Sequence, residues 1–155
     1  MRRLLLVEDD AATAQATRFA LRAEWDVEVV GTLSDALRRV IQAQSGGGEP
    51  FLACLYDVRL PDSTGPEGVE LLIVADPRLA IIVYTGTVDE QLAEQCRRFG
   101  AVDYIVKGGG VEELRMRLRF AIRRVTVPRA IHALGDLLMR WSEEASRPGA
   151  AHGAG

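Results

Sequence analysis

The chain has 155 residues, of which 48% are hydrophobic and 26% charged, and its formal net charge at pH 7 is −3. This composition is typical of an ordinary globular protein, and it argues against a disordered, fibrous or nucleic-acid-coating protein. A chain of this length buries about two thirds of the surface that its unfolded form exposes, which is enough for one domain with one core.

The terminus and the cysteines both indicate a cytoplasmic protein. The N-terminus, MRRLLLVEDD, has only four apolar residues after its two arginines. That run is too short for a signal peptide. A membrane span needs about 20 consecutive apolar residues, and no stretch of the sequence is that long. Cys54 and Cys96 are far apart in the sequence, which predicts reduced, packed thiols. The net charge of −3 attracts neither nucleic acid nor an anionic membrane, so we expect no direct contact with either.

Apolar runs of strand length alternate along the chain with segments of helical periodicity. The predicted strands are residues 4–7, 27–30, 51–56, 80–84 and 102–106. The predicted helices are residues 11–24, 34–44, 69–75, 89–99 and 111–125. Asp10 and Ser34 are placed to cap the first two helices, and residues 45–50, SGGGEP, predict a flexible loop. Such alternation predicts parallel strands, right-handed crossovers and a doubly wound three-layer α/β sandwich.

A sixth amphipathic segment follows Pro128 and predicts an extra C-terminal helix. Four large apolar residues follow one another at 3-4-3 spacing: Ile131, Leu134, Leu138 and Trp141. Their common face either packs on the surface of this domain or binds a partner. We expect three parts of the chain: a domain at residues 1–126, a helical extension at residues 127–147, and a disordered tail at residues 148–155.

Asp57 follows the central apolar strand and precedes a turn-rich stretch. In open parallel sheets, ligands bind at the carboxyl ends of the strands. An aspartate alone at such a position is more often a cap or a turn former, so the residues at the other strand ends decide its role. Strands one, three, four and five end at Glu8 and Asp9, Asp57, Thr85 and Lys107.

These side chains form a chemically coherent set. Neighbouring carboxylates repel one another by about 4 kcal/mol per pair at an effective dielectric constant of 20. They therefore favour a hard divalent cation with oxygen ligands, Mg²⁺ above all. Asp57 can then attack phosphorus as a nucleophile. Mg²⁺ and the Lys107 ammonium would neutralise the phosphoryl oxygens, and the Thr85 hydroxyl would donate a hydrogen bond to one of them.

Four motifs, LLLVEDD, YDVRLPD, VYTGT and DYIVK, follow one another in this order. With them, the chain from about residue 3 to residue 125 resembles the receiver domain of bacterial two-component response regulators. The resemblance implies a flavodoxin-like receiver fold with strand order 2-1-3-4-5. It also implies a signalling domain that catalyses only its own phosphorylation and dephosphorylation, and not an enzyme with a separate substrate.

The resemblance further implies a role for each site residue. Asp57 would accept a phosphoryl group from the phosphohistidine of a sensor histidine kinase or a histidine phosphotransfer protein. Glu8, Asp9, Asp57 and the backbone carbonyl of Arg59 would bind Mg²⁺, and Lys107 would contact the phosphoryl group. These roles describe a Mg²⁺-dependent phosphorelay.

The resemblance also implies a switch and an output. Thr85 would contact the phosphoryl group and move together with Tyr104, and Arg59 and Thr87 would tune the lifetime of the phosphorylated state. Tyr104 as an ordinary strand aromatic and Thr87 as a turn former remain alternatives. The surface of helix four, strand five and helix five would bind a downstream protein target. A homodimer through helices four and five, or through the C-terminal helix, is also expected.

The expected protein is a stand-alone receiver, because the roughly 30 residues after Val125 leave no room for a DNA-binding or catalytic output domain.

Gly108 follows Lys107 where most receivers have proline, which predicts a loop of different shape. It supports an alternative function, a receiver-like interaction module that works without phosphorylation. The turn after Asp57 is about two residues longer than in most receivers.

Two other classes fit the residues less well. Phosphatases with an aspartate nucleophile usually place a second aspartate two residues on, where this chain has Arg59. A flavin or dinucleotide carrier would need a glycine-rich or hydroxyl-rich phosphate loop after the first strand. This chain has EDDAATA there, which repels phosphate unless a metal ion intervenes.

Overall fold

The computed structural model describes residues 1–146; for residue 47 and residues 126–133 only the backbone is considered. Within this part of the chain, five strands alternate with five helices. The strands are β1 (Arg2–Val7), β2 (Trp25–Val30), β3 (Ala53–Tyr56), β4 (Ala80–Thr85) and β5 (Asp103–Val106). The helices are α1 (Ala11–Leu21), α2 (Leu33–Gln42), α3 (Glu67–Ala75), α4 (Glu90–Arg98) and α5 (Val111–Ala145). A short π-helical turn, Ala43–Gly47, follows α2 and takes up the start of the predicted loop.

All neighbouring strands pair in parallel, in the order β2-β1-β3-β4-β5. The predicted fold class, including the strand order, is confirmed. Val7 pairs with Tyr56, and Tyr56 pairs with Val83. The residues that follow these positions therefore lie side by side at one edge of the sheet.

Each strand alternates its side chains between two apolar layers, because successive residues in a strand point to opposite faces. Leu5, Val7, Cys54, Tyr56, Ile81 and Val83 pack against α2, α3 and α4. Leu4, Leu6, Ala53, Leu55, Ile82 and Ile105 pack against α1 and α5. The central strand β3 is buried on both faces, as its uninterrupted apolar sequence predicts.

The helix caps confirm one prediction and correct another. Asp10 caps α1, since its carboxylate accepts a hydrogen bond from the Thr13 amide at 2.9 Å. Ser34 was expected to cap α2, but this is wrong. Thr32 has the extended backbone that a cap needs, and its hydroxyl accepts from the Asp35 amide at 3.1 Å. Ser34 therefore lies inside the first turn of α2.

The predicted C-terminal helix is present, and it continues α5 without interruption. Pro128 lies inside this helix of 35 residues. Proline removes one backbone hydrogen bond, which makes a helix end there common but not obligatory. Leu134, Leu138 and Trp141 are 55%, 55% and 68% exposed. Of the two alternatives for this face, these exposed fractions favour binding of a partner over packing on the surface of the domain.

The division of the chain at residues 126 and 127 stays a prediction, and the predicted disordered tail, residues 148–155, lies outside the described residues. None of the helices within residues 1–146 combines the length and the apolar character that crossing a lipid bilayer requires.

Candidate functional site

Three carboxylates meet at the carboxyl edge of the sheet, as predicted. Glu8 follows β1, Asp57 follows β3, and the Asp57 amide donates to the Val7 carbonyl at 3.1 Å. Glu8 and Asp57 are buried, with 4% and 7% of their surface exposed, while Asp9 is exposed. One oxygen of each carboxylate lies within 4.8 Å of an oxygen of the other two. This spacing lets all three ligate a single cation.

Lys107 connects two of the carboxylates. Its ammonium nitrogen lies 2.7 Å from Glu8 Oε1 and 2.8 Å from Asp57 Oδ2. The Lys107 amide donates to the Thr85 carbonyl at 2.8 Å, which fixes the start of the following loop against β4. Burial alone would lower the pKa of Lys107, but its hydrogen bonds to Asp57 and Glu8 raise the pKa above the usual lysine value. These bonds therefore favour the charged form of the Lys107 ammonium.

The two buried carboxyl groups differ in their affinity for a proton. Burial, and after it the neighbouring Asp57, raise the pKa of Glu8 to about 7, although Lys107 acts in the opposite direction. Burial acts on Asp57 in the same direction, but hydrogen bonds with Glu8, with Lys107 and with the Arg59 amide hold its pKa below the usual value. The Arg59 amide lies 3.0 Å from Asp57 Oδ1. Asp57 thus carries the negative charge that a nucleophile needs.

Two buried polar atoms of the site have no hydrogen-bond partner within the described residues. They are Glu8 Oε2 and the hydroxyl oxygen of Thr85, and Thr85 is only 1% exposed. A buried polar group without a partner costs about 1–3 kcal/mol, so such atoms call for an explanation. A free carboxylate oxygen in an acidic cluster fits a cation, and a free hydroxyl at the adjacent strand end fits an anionic oxygen. The donor set therefore fits Mg²⁺.

Tyr104 and Thr87, for which the sequence predicts separate roles, are in direct contact. The Tyr104 hydroxyl donates to the Thr87 carbonyl at 2.8 Å, and the Tyr104 ring packs against the core on the α4 side of the sheet. Burial raises the pKa of Tyr104. The contact joins β5 to the loop that precedes α4. Sequence spacing alone carries no sign of it.

The loop after Lys107 requires glycine. Gly108 and Gly110 have φ angles of 99° and 94°, in the region that glycine adopts readily and other residues rarely. The peptide bond between Lys107 and Gly108 is trans, since no cis bond occurs within residues 1–146. With this trans bond and a glycine directly after it, Lys107 reaches both carboxylates.

Asp62, in the loop after Asp57, makes a contact that the sequence does not predict. Its carboxylate oxygens each accept a hydrogen bond from an amide of α2, Leu33 and Ser34, at 2.9 Å. The partners are 29 and 28 residues away in the sequence. An aspartate in a turn is ordinarily explained by local bonds, so the sequence offers no signal for this long-range contact.

Comparison with known proteins shows the family of the chain. Residues 4–119 match the response regulator receiver domain family, and the chain belongs to this family. It is thus a receiver domain of two-component response regulators, a class of signalling domains and not of classical enzymes. The prediction of the family from four short motifs is confirmed.

Individual relatives share the receiver part. The regulatory protein LuxO of Vibrio cholerae is 32% identical over 122 residues, which are 78% of this chain and 26% of LuxO. The probable transcriptional regulatory protein TcrX of Mycobacterium tuberculosis is 30% identical over 143 residues, 88% of this chain and 58% of TcrX. A CheY-like receiver domain protein of Methanospirillum hungatei superposes with a TM-score of 0.73 at 25% identity, covering 83% of this chain and 98% of that one. The chain spans less than two thirds of the length of both curated relatives.

Proposed function

We propose that Asp57 accepts a phosphoryl group in a Mg²⁺-dependent reaction with a phosphohistidine donor, on a sensor histidine kinase or a histidine phosphotransfer protein. The supporting observation is the environment of its carboxylate. That carboxylate is held ionised between the Lys107 ammonium at 2.8 Å and the Arg59 amide at 3.0 Å. At the same sheet edge lies the Thr85 hydroxyl, which has no partner within the described part of the chain.

The transfer itself needs little from the protein beyond position and charge. A carboxylate oxygen of Asp57 forms a bond to phosphorus, the bond from phosphorus to the donor's imidazole nitrogen breaks, and its electron pair stays on that nitrogen. Lys107 offsets charge on the phosphoryl oxygens, and the Thr85 hydroxyl donates a hydrogen bond to one of them. Glu8, Asp9, Asp57 and the backbone carbonyl of Arg59 would hold Mg²⁺, which supplies further neutralisation of the phosphoryl charge.

The switch follows from the loops around the site. A phosphoryl group that accepts a hydrogen bond from the Thr85 hydroxyl favours one arrangement of the loop after β4. The hydrogen bond from Tyr104 to Thr87 couples this arrangement to β5. The altered surface of α4, β5 and the first half of α5 then binds a downstream protein target. Arg59, whose side chain is exposed, and Thr87, which is half-buried, would control the access of water and thereby the lifetime of the phosphorylated state.

The exposed outer part of α5, residues 134–145, is the second proposed contact surface. Leu134, Leu138 and Trp141 are apolar and more than half exposed, which is typical of a surface that binds another helix. It supports a homodimer through this helix beside one through α4 and α5. A cytoplasmic location fits a partner that carries phosphohistidine.

Intact-mass analysis after incubation with Mg²⁺ and acetyl phosphate or phosphoramidate tests the proposal. We expect the native chain and an Asp26→Ala control, changed at an exposed aspartate of β2, to gain the mass of one phosphoryl group. An Asp57→Ala variant should gain none. No gain in any of the three would favour the alternative, an interaction module that works without phosphorylation.

A further inference from the structure

The loop that follows Asp57 is closed on itself by backbone hydrogen bonds. The Leu60 amide donates to the Ser63 carbonyl at 2.8 Å, and the Ser63 amide donates back to the Leu60 carbonyl at 3.3 Å. Leu60 is buried in the core, and the Tyr56 hydroxyl lies 3.3 Å from the Ser63 hydroxyl. Pro61 and Asp62 form the turn of this small loop.

Asp62 ties the loop to α2. Its two carboxylate oxygens accept from the Leu33 and Ser34 amides, each at 2.9 Å. These amides belong to the first turn of α2 and have no partner inside the helix, and the helix dipole favours a negative charge there. The same bonds lower the pKa of Asp62. Thr32 satisfies a third amide, that of Asp35, from within the local sequence.

Arg59 lies between two fixed points of this loop. Its amide donates to Asp57 Oδ1 at 3.0 Å, and the next residue, Leu60, is bonded to Ser63. The carbonyl of Arg59 therefore has little freedom as long as the loop stays attached to α2. A loose loop would let this carbonyl move away from Asp57.

We propose that Asp62 is a positioning residue of the Mg²⁺ site: its bonds to the N-terminus of α2 hold the loop that presents the Arg59 carbonyl beside Asp57. This inference rests on the proposed function, from which the role of the Arg59 carbonyl comes. It adds a residue that contacts neither the metal nor the phosphoryl group. It also makes α2 a support of the acceptor site.

The test compares two ways of removing a cap from the same helix. Asp62→Ala removes the contact with the loop, whereas Thr32→Val removes the local cap and leaves the loop attached. We expect Asp62→Ala to bind Mg²⁺ about tenfold more weakly by titration calorimetry, at the low end of the effect of residues that support metal ligands. Thr32→Val should bind Mg²⁺ as the native chain does. Asp62→Asn should be intermediate, because its amide oxygen still accepts from one helix amide.

Two further readouts separate positioning from a general loss of stability. The rate of phosphoryl uptake from acetyl phosphate should need more Mg²⁺ in Asp62→Ala but reach the native maximum at saturating Mg²⁺. Hydrogen exchange of the Leu60 and Ser63 amides, followed without metal, should be faster in Asp62→Ala and unchanged in Thr32→Val.

Equal Mg²⁺ affinity of Asp62→Ala and the native chain would overturn the inference. So would an equal loss in Asp62→Ala and Thr32→Val, since that result would assign the effect to the stability of α2. If the native chain binds Mg²⁺ but gains no phosphoryl group, the proposed function fails while the Mg²⁺ titration still decides the role of Asp62. A native chain that binds no Mg²⁺ would overturn both.

Discussion

Two groups of side chains stand out in the sequence, one at the carboxyl edge of the sheet and one on the outer part of α5. They differ in burial. At the sheet edge, Glu8 and Asp57 are buried and bonded to Lys107. On the outer part of α5, Leu138 and Trp141 are more than half exposed. Neighbouring strands position the first group, whereas the second stays more than half exposed among residues 1–146.

The same difference in burial occurs between the two halves of α5. Leu118, in the first half, is fully buried against the sheet, and Leu138 is 55% exposed. We expect Leu118→Ala to lower the free energy of unfolding by about 2–5 kcal/mol, and Leu138→Ala to change it by less than about 0.5 kcal/mol. Chemical denaturation measures both. A large loss in Leu138→Ala at all protein concentrations would show that the outer part packs on its own domain after all.

The next largest effect concerns Lys107, which is the only lysine in the chain. Lys107→Ala leaves the charge of Asp57 uncompensated and removes a donor to the phosphoryl oxygens. We expect phosphoryl uptake to fall by about 100-fold, the usual cost of one stabilising donor. Arg98→Ala, at an exposed position of α4, is the control and should keep the native rate. Uptake at the native rate in Lys107→Ala would remove the ammonium from the mechanism.

The smallest expected effect is that of Thr85→Val. It differs between the unmodified protein and the protein that holds a phosphoryl mimic. Thr85→Val replaces a buried hydroxyl that has no partner among the described residues by a methyl group, so the unmodified protein should be as stable as the native one or more stable by about 1 kcal/mol. The rise in thermal stability on adding Mg²⁺ with beryllium fluoride, a phosphoryl mimic, should be smaller in Thr85→Val than in Thr85→Ser. An equal rise in both would contradict a role of this hydroxyl toward the phosphoryl group.

Much of the fold could be predicted because it depends on local patterns. The apolar strands and periodic helices fix the alternation of elements, and parallel topology then gathers the strand ends. Glu8 and Lys107 are 99 residues apart in the sequence and 2.7 Å apart in space, yet their meeting was predicted. Because the strands are parallel, their carboxyl ends all lie at the same edge of the sheet.

The parts that could not be predicted depend on contacts without a local pattern. Thr32 and Ser34 are both good helix caps, and only the backbone conformation decides between them. Proline commonly ends or kinks a helix, but α5 continues through Pro128. The bonds of Asp62 to α2 and of Tyr104 to Thr87 join loops whose relative position emerges only after the layers have packed.

The most direct test of the central claim is to locate the phosphoryl group on the chain. After incubation with Mg²⁺ and acetyl phosphate, borohydride reduces an aspartyl phosphate to homoserine, and tryptic peptides reveal its position. We predict the change in the peptide of residues 40–59, in which Asp57 is the only aspartate. Homoserine in the peptide of residues 4–18, which contains Asp9 and Asp10, or in none of the peptides, would contradict the assignment of Asp57 as the acceptor.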